Sequence, residues 1–213
     1  HYLYANSRRG LNTITFDHWV KVHDAELSPD GRNVAVAHWD GALKVYDVRS
    51  QKTVWKTTRN SEDGHTNIIT DLTYSADGRL IATSSVDKTA VIWNAGAGDR
   101  IAQLGPFSSG VSNVAFSTDG AQMAVAIYTE SVGQEYATSL PVPVYLYDIS
   151  IGGTRDEVTL DIRNKRELVG AAGRAVIAFS CDGKLLAAGC DDGQVRLWKL
   201  PEGKALPPLP SFG

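Results

Sequence analysis

The sequence predicts an all-β protein made of repeated four-stranded antiparallel units. Three observations carry the prediction. A reverse turn of the form Ser-x-Asp-Gly recurs four times, at 28–31, 75–78, 117–120 and 180–183. Period-two apolar alternation rich in β-branched residues flanks these turns, which is the pattern of half-buried strands. The spacing from the turn glycine to a later strand-ending aromatic is constant: Gly31 to Tyr46, Gly78 to Trp93 and Gly183 to Trp198 are each 15 positions apart. A one-residue slip turns a buried strand face outward, so equal spacing implies equal register.

The most complete copy is GHTNIITDLTYSADGRLIATSSVDKTAVIWN, residues 64–94. Its first strand lies around Ile69, Leu72 and Tyr74, its second over 80–83, and its third over 90–93 after a tight turn at 86–89. Asp-Gly and Asp-Lys stand where the chain must reverse. Residues 22–48 and 175–200 repeat the same scheme. The remaining copy starts at Val111 and resumes at Val144; Gly120 to Tyr147 spans 27 positions, 12 more than the others, which places an insertion within 128–143. A fourth strand is expected after each aromatic, at 53–55, 100–104, 158–162 and 204–206. At the start of the chain, His1-Tyr2-Leu3-Tyr4 is similar to Val144-Tyr145-Leu146-Tyr147, and residues 12–16 supply an outer strand. The sequence is therefore expected to begin halfway through a unit.

Four short antiparallel strands per repeat, at a period somewhat above 40 residues, are the pattern of a propeller blade. On these residues the chain resembles the WD-repeat β-propeller family over nearly its whole length. The resemblance implies a half blade at 1–19 and blades at 20–57, 64–105, 111–162 with the insertion at 129–143, and 174–210. It also implies that these belong to a seven-bladed ring, the missing blades lying in polypeptide absent from this sequence or in a partner chain.

Composition narrows the function classes. Lys plus Arg number 21 against 24 Asp plus Glu, a formal charge of −3, so nothing attracts nucleic acid or acidic membranes globally. No apolar run approaches the roughly 20 residues of a membrane helix, and a soluble protein is expected. Cys181 sits in a turn and Cys190 at the far end of the following strand, beyond disulfide reach. Two isolated cysteines suit a reducing compartment, so an intracellular location, cytoplasmic or nuclear, is expected.

In the family a His, a Ser or Thr, an Asp and a Trp form a buried hydrogen-bonded tetrad; by position these are His65, Thr83, Asp87 and Trp93. The same residue types could suggest a nucleophilic triad. However, their positions recur in degraded form in the other repeats: Asp40 and Asp192 match Asp87, while Val36 and Ala188 replace the hydroxyl. A catalytic device is not echoed piecemeal around a ring, so the structural reading is preferred and no enzyme is expected. His18, His23 and His38 with Asp17, Asp24 and Asp40 match no metal-ligand spacing. Gly152-Gly153 and 170–173 precede no amphipathic helix and make no phosphate loop. No metal or cofactor is expected, and Asp71 is read as a turn-bonding Asp.

The resemblance places the inter-blade connections and the turns between second and third strands on one partner-binding face. The residues it points at the central opening are Lys21, His23, Trp39, Ile68, Thr70, Val86, Ser112 and Asp191. Trp39, in the polar turn His38-Trp39-Asp40, either forms a contact hot spot or folds back over the blade edge. The connection 162–174 carries Arg163, Lys165, Arg166 and Arg174 against a single Glu167. Two functions stay open. One is a non-enzymatic protein–protein interaction scaffold inside a larger protein or complex. The other is recognition of a phosphorylated or acidic ligand, or RNA backbone, by Arg163, Lys165 and Arg166.

Overall fold

The computed structural model describes residues 21–59, 64–128, 141–154 and 157–207. Sixteen strands in these residues form four antiparallel sheets, each a simple meander of consecutive strands. Blade one contains β1 (Val22–Leu27), β2 (Asn33–His38), β3 (Leu43–Asp47) and β4 (Thr53–Lys56). Blade two contains β5 (Ile69–Tyr74), β6 (Leu80–Ser85), β7 (Ala90–Asn94) and β8 (Arg100–Leu104). Blade three contains β9 (Val111–Phe116), β10 (Gln122–Ile127), β11 (Pro141–Gly153) and β12 (Val158–Ala172). Blade four contains β13 (Ala175–Phe179), β14 (Leu185–Cys190), β15 (Val195–Lys199) and β16 (Lys204–Ala205). The half blade expected at 1–19, and 129–140 of the insertion, lie outside the described residues.

The Ser-x-Asp-Gly turns work by one mechanism repeated four times. In blade two the Ser75 hydroxyl donates to Asp77 Oδ1 at 2.7 Å and accepts the Leu80 N–H at 3.0 Å. Gly78 takes φ +69°, which a Cβ would strain. The same Ser–Asp bond measures 2.7, 2.6 and 2.7 Å at Ser28, Ser117 and Ser180. Each turn satisfies its own polar groups, so each fixes the register of the first hairpin of its blade.

Packing between blades makes the core. Each blade has a back face toward its predecessor and a forward face toward its successor. Ala35, Ala37, Leu43 and Val45 on the forward face of blade one meet Ile69, Leu72, Tyr74, Ile81, Val91 and Trp93 on the back face of blade two. The forward face of blade two, Leu80, Ala82, Ala90 and Ile92, enters the larger core with Val111, Val114 and Met123 of blade three. That core continues to Ile177, Leu186 and Trp198 of blade four. At about 25 cal/mol per Å² of apolar area, these seams dominate the stability of the molecule.

Blade three departs from the expected plan. The third strand starts at Pro141, so 141–143 are strand rather than insertion, and the fourth runs from Val158 to Ala172 instead of stopping at Ile162. The two pair along their whole length, from Gly153↔Val158 to Pro141↔Ala172. Burial of Val142, Leu168 and Ala171 drives the extension. The stretch 162–172 is therefore an outer strand and not a connection. Cys181 and Cys190 are both free thiols.

Candidate functional site

The structure brings His65, Thr83, Asp87 and Trp93 together inside blade two. Trp93 Nε1–H donates to Thr83 Oγ1 at 2.8 Å. His65 Nε2 lies 2.8 Å from the same oxygen, and His65 Nδ1 lies 2.8 Å from Asp87 Oδ2. Because a carboxylate only accepts, Nδ1 carries a proton toward Asp87. Burial alone would raise the Asp87 carboxyl, but hydrogen bonds from His65, Thr89 and the Thr66 amide hold it down at about 2. The Thr83 hydroxyl is fully buried and engaged on both sides, so no substrate can reach it. As arranged, the four side chains brace the blade.

The incomplete copies find other partners. In blade four Ala188 stands in place of the hydroxyl, and Trp198 Nε1–H instead donates to the Val169 carbonyl of β12 at 3.2 Å. Asp192, with no histidine to bind, pairs with both guanidinium nitrogens of Arg196, Nη1 at 2.7 Å. In blade one Asp40 caps its own turn by accepting the Ala42 N–H at 3.0 Å.

The expected contact residues divide into two groups. In every blade the residue after the second strand donates its N–H to the carbonyl of the residue before the first: Trp39 to Lys21, Val86 to Ile68, Tyr128 to Gly110 and Asp191 to Arg174, at 3.0–3.1 Å. This places Lys21, Trp39, Ile68, Val86 and Asp191 on one rim, where Asp191 Oδ2 also accepts the Arg174 N–H. Trp39 is 48% exposed. Lys21 Nζ sits 5.3 Å from its ring centroid, and the ring of His23 is 6.0 Å away. Thr70 and Ser112 are a correction. Their hydroxyls lie 2.6 Å from the Val111 carbonyl and 2.8 Å from the Ala175 carbonyl of the following blade. Both hydroxyls tie adjacent blades, and Ser112 is buried as well.

The basic stretch is also reassigned. Arg163 and Arg166 lie on β12 and are bound within their own blade, Arg163 to Asp161 and Arg166 to Asp148. Arg166 Nη1 also donates to the Pro201 carbonyl at 2.6 Å. Lys165 Nζ stands 3.9 Å from the centroid of Tyr145, which stacks on Phe107. A phosphate there would compete with these carboxylates and with the cation–π contact.

A set of polar residues beyond those expected holds the inner strands together. Asp24 Oδ2 accepts the Leu72 N–H at 3.1 Å, Asp71 Oδ2 the Val114 N–H at 2.9 Å, and Asn113 Oδ1 the Ile177 N–H at 2.8 Å. Each bond crosses from one blade to the next. Asp71 is thus a seam tie and not a turn residue. Burial, with the charges of Asp24 and Glu26, pushes its carboxyl up to about 7 against the Val114 hydrogen bond. A signal was present: all three stand seven positions before their turn glycine.

Comparison with known proteins agrees with the architecture. The family model described as WD domain, G-beta repeat matches residues 11–47, 56–94 and 173–199. The small ribosomal subunit protein RACK1 of Drosophila melanogaster is 28% identical over 184 residues, covering 85% of this chain and 51% of that protein. The serine-threonine kinase receptor-associated protein of Mus musculus is 25% identical over 214 residues, covering 91% and 59%. The solved structure of U3-55K shares the fold, with a TM-score of 0.66 at 18% identity over 90% of this chain and 52% of that one. Three stretches of the chain are thus matched as WD repeats, and its four sheets are built as WD-type propeller blades. It spans about half the length of the curated relatives it matches. Among the described residues no helix is long and apolar enough to cross a membrane.

Proposed function

We propose that the chain is a non-enzymatic platform for protein–protein contact within a larger protein or multisubunit complex, in the cytoplasm or nucleus. The observation that carries this reading is Trp39, a large aromatic held in the open on the rim with Lys21 over its ring. Exposed aromatics on rigid scaffolds are the side chains on which contact energy concentrates. Similar proteins support it: one is named as a ribosomal subunit protein and another as receptor-associated. The polyanion reading is the less favoured one, since Arg163 and Arg166 already hold carboxylates.

The test is capture of native partners from cell extract on immobilised protein, analysed by mass spectrometry. Trp39→Ala is expected to lose the specific partner while the joint change of Arg163, Lys165 and Arg166 to Ala keeps it. The opposite pattern, with binding that collapses at moderate salt, would reverse the assignment.

A further inference from the structure

Blade four keeps two members of the brace that blade two carries, Asp192 and Trp198, and lacks the other two. Ala188 stands five positions after its turn glycine, where Thr83 stands in blade two, and Gly170 stands thirteen before it, where His65 stands. Gly170 lies in β12, which runs on to Ala172 and leaves only Gly173 and Arg174 before β13. By contrast, β4 and β8 stop at Lys56 and Leu104, well short of the next blade.

The extended part of β12 meets blade four at three points. The Val169 carbonyl accepts the Trp198 indole N–H at 3.2 Å, in place of the missing hydroxyl. Arg166 Nη1 donates to the Pro201 carbonyl at 2.6 Å. Leu168 is buried over Gly203, where a Cβ would come within 2.5 Å of its Cδ2. The seam between blades one and two has a similar lap: Trp55 of β4 covers Gly98, and Gly98 and Gly203 each stand five positions after the Trp of their blade. In blade two the lap adds to a complete set of His65, Thr83, Asp87 and Trp93. In blade four it replaces one.

We propose that residues 163–172 are a strap that supplies the brace blade four lacks, so that blade four comes free as a unit when the strap lets go. The coupling is physical. Trp198 is 1% exposed, so withdrawing the Val169 carbonyl leaves its indole N–H stranded inside the blade, the most costly state for a buried donor. Withdrawing Leu168 at the same step uncovers the turn at Gly203. Blade two has no such dependence, because the acceptor for Trp93 is Thr83 of the same blade.

The experiment is hydrogen–deuterium exchange of the whole chain, followed peptide by peptide, for wild type, Leu168→Ala, and Leu168→Ala combined with Ala188→Ser. Leu168→Ala is expected to speed exchange by about tenfold or more over 163–172 and over β14 and β15 alike, with blades one and two unchanged. Adding Ala188→Ser gives Trp198 an acceptor within its own blade, and is expected to slow β14 and β15 again while 163–172 stays fast. Acceleration confined to β12 overturns the proposal, since blade four would then hold itself. Equal acceleration in all four blades overturns it too, as does an added Ala188→Ser that restores nothing. If Leu168→Ala does not fold, Arg166→Gln removes the Pro201 bond at a partly exposed position and is read against the same outcomes.

Discussion

Asp71 in blade two and Val114 in blade three are joined by a 2.9 Å hydrogen bond from backbone N–H to carboxylate. The bond matters beyond its length, because it places a carboxyl in a buried seam with Asp24 and Glu26 nearby. That environment lifts its pKa from the ordinary 3.8 to about 7.

The folded state therefore holds the Asp71 proton more tightly than the unfolded chain does. The stability this gives is fully present below the ordinary carboxylate range and is lost as the pH rises through about 7. Asp71→Asn keeps an acceptor, as Asn113 does one blade later, and removes the ionisation. The variant is expected to melt higher than wild type above neutrality, with the gap narrowing as the pH falls from about 7 toward the ordinary carboxylate range. Thermal unfolding across that range checks it; a gap independent of pH would refute the assignment.

Thr83→Ala strands the Trp93 indole N–H and the His65 ring nitrogen inside blade two. A loss of about 1–3 kcal/mol in unfolding free energy is expected. Thr83→Ser, which keeps the hydroxyl, should lose less. Denaturant titration of both variants separates the hydroxyl from the methyl group.

Gly98 has φ +84°, and a Cβ there would stand 2.6–2.9 Å from ring atoms of Trp55. Trp55 is held by its Nε1–H on the Ala95 carbonyl at 2.9 Å, so it cannot swing away freely. Gly98→Ala is expected to destabilise by about 1–3 kcal/mol, from backbone strain and overpacking together. A melting temperature equal to wild type would show that the indole yields.

Trp39→Ala should change stability by no more than about 0.5 kcal/mol, because the ring is half exposed, while removing the partner contact. Arg166→Ala should do the reverse. It frees Asp148 and the Pro201 carbonyl and so loosens the join of blades three and four, with partner binding intact. Melting curves and capture assays on the two variants form the comparison.

Much of the blade plan was legible in the residues. The Ser-x-Asp-Gly turns and the constant spacing to Tyr46, Trp93 and Trp198 specify strand order and register, since both are local consequences of turn chemistry and period-two burial. The quartet at His65, Thr83, Asp87 and Trp93 was locatable because the best copy could be compared with its degraded ones.

Other features depended on what lies across a seam. Thr70 and Ser112 looked like free rim hydroxyls, and only the neighbouring inner strand shows them spent on Val111 and Ala175. Arg163, Lys165 and Arg166 form a basic run in the sequence, but Asp161 beside Arg163 on β12, and Asp148 and Tyr145 on the paired β11, already engage them. The blade plan can be read from the residues because a blade is built from contacts between residues close along the chain. Which polar groups remain available to a partner depends on the folded chain, because the acceptors of Thr70 and Ser112 and the Asp148 partner of Arg166 come from other strands.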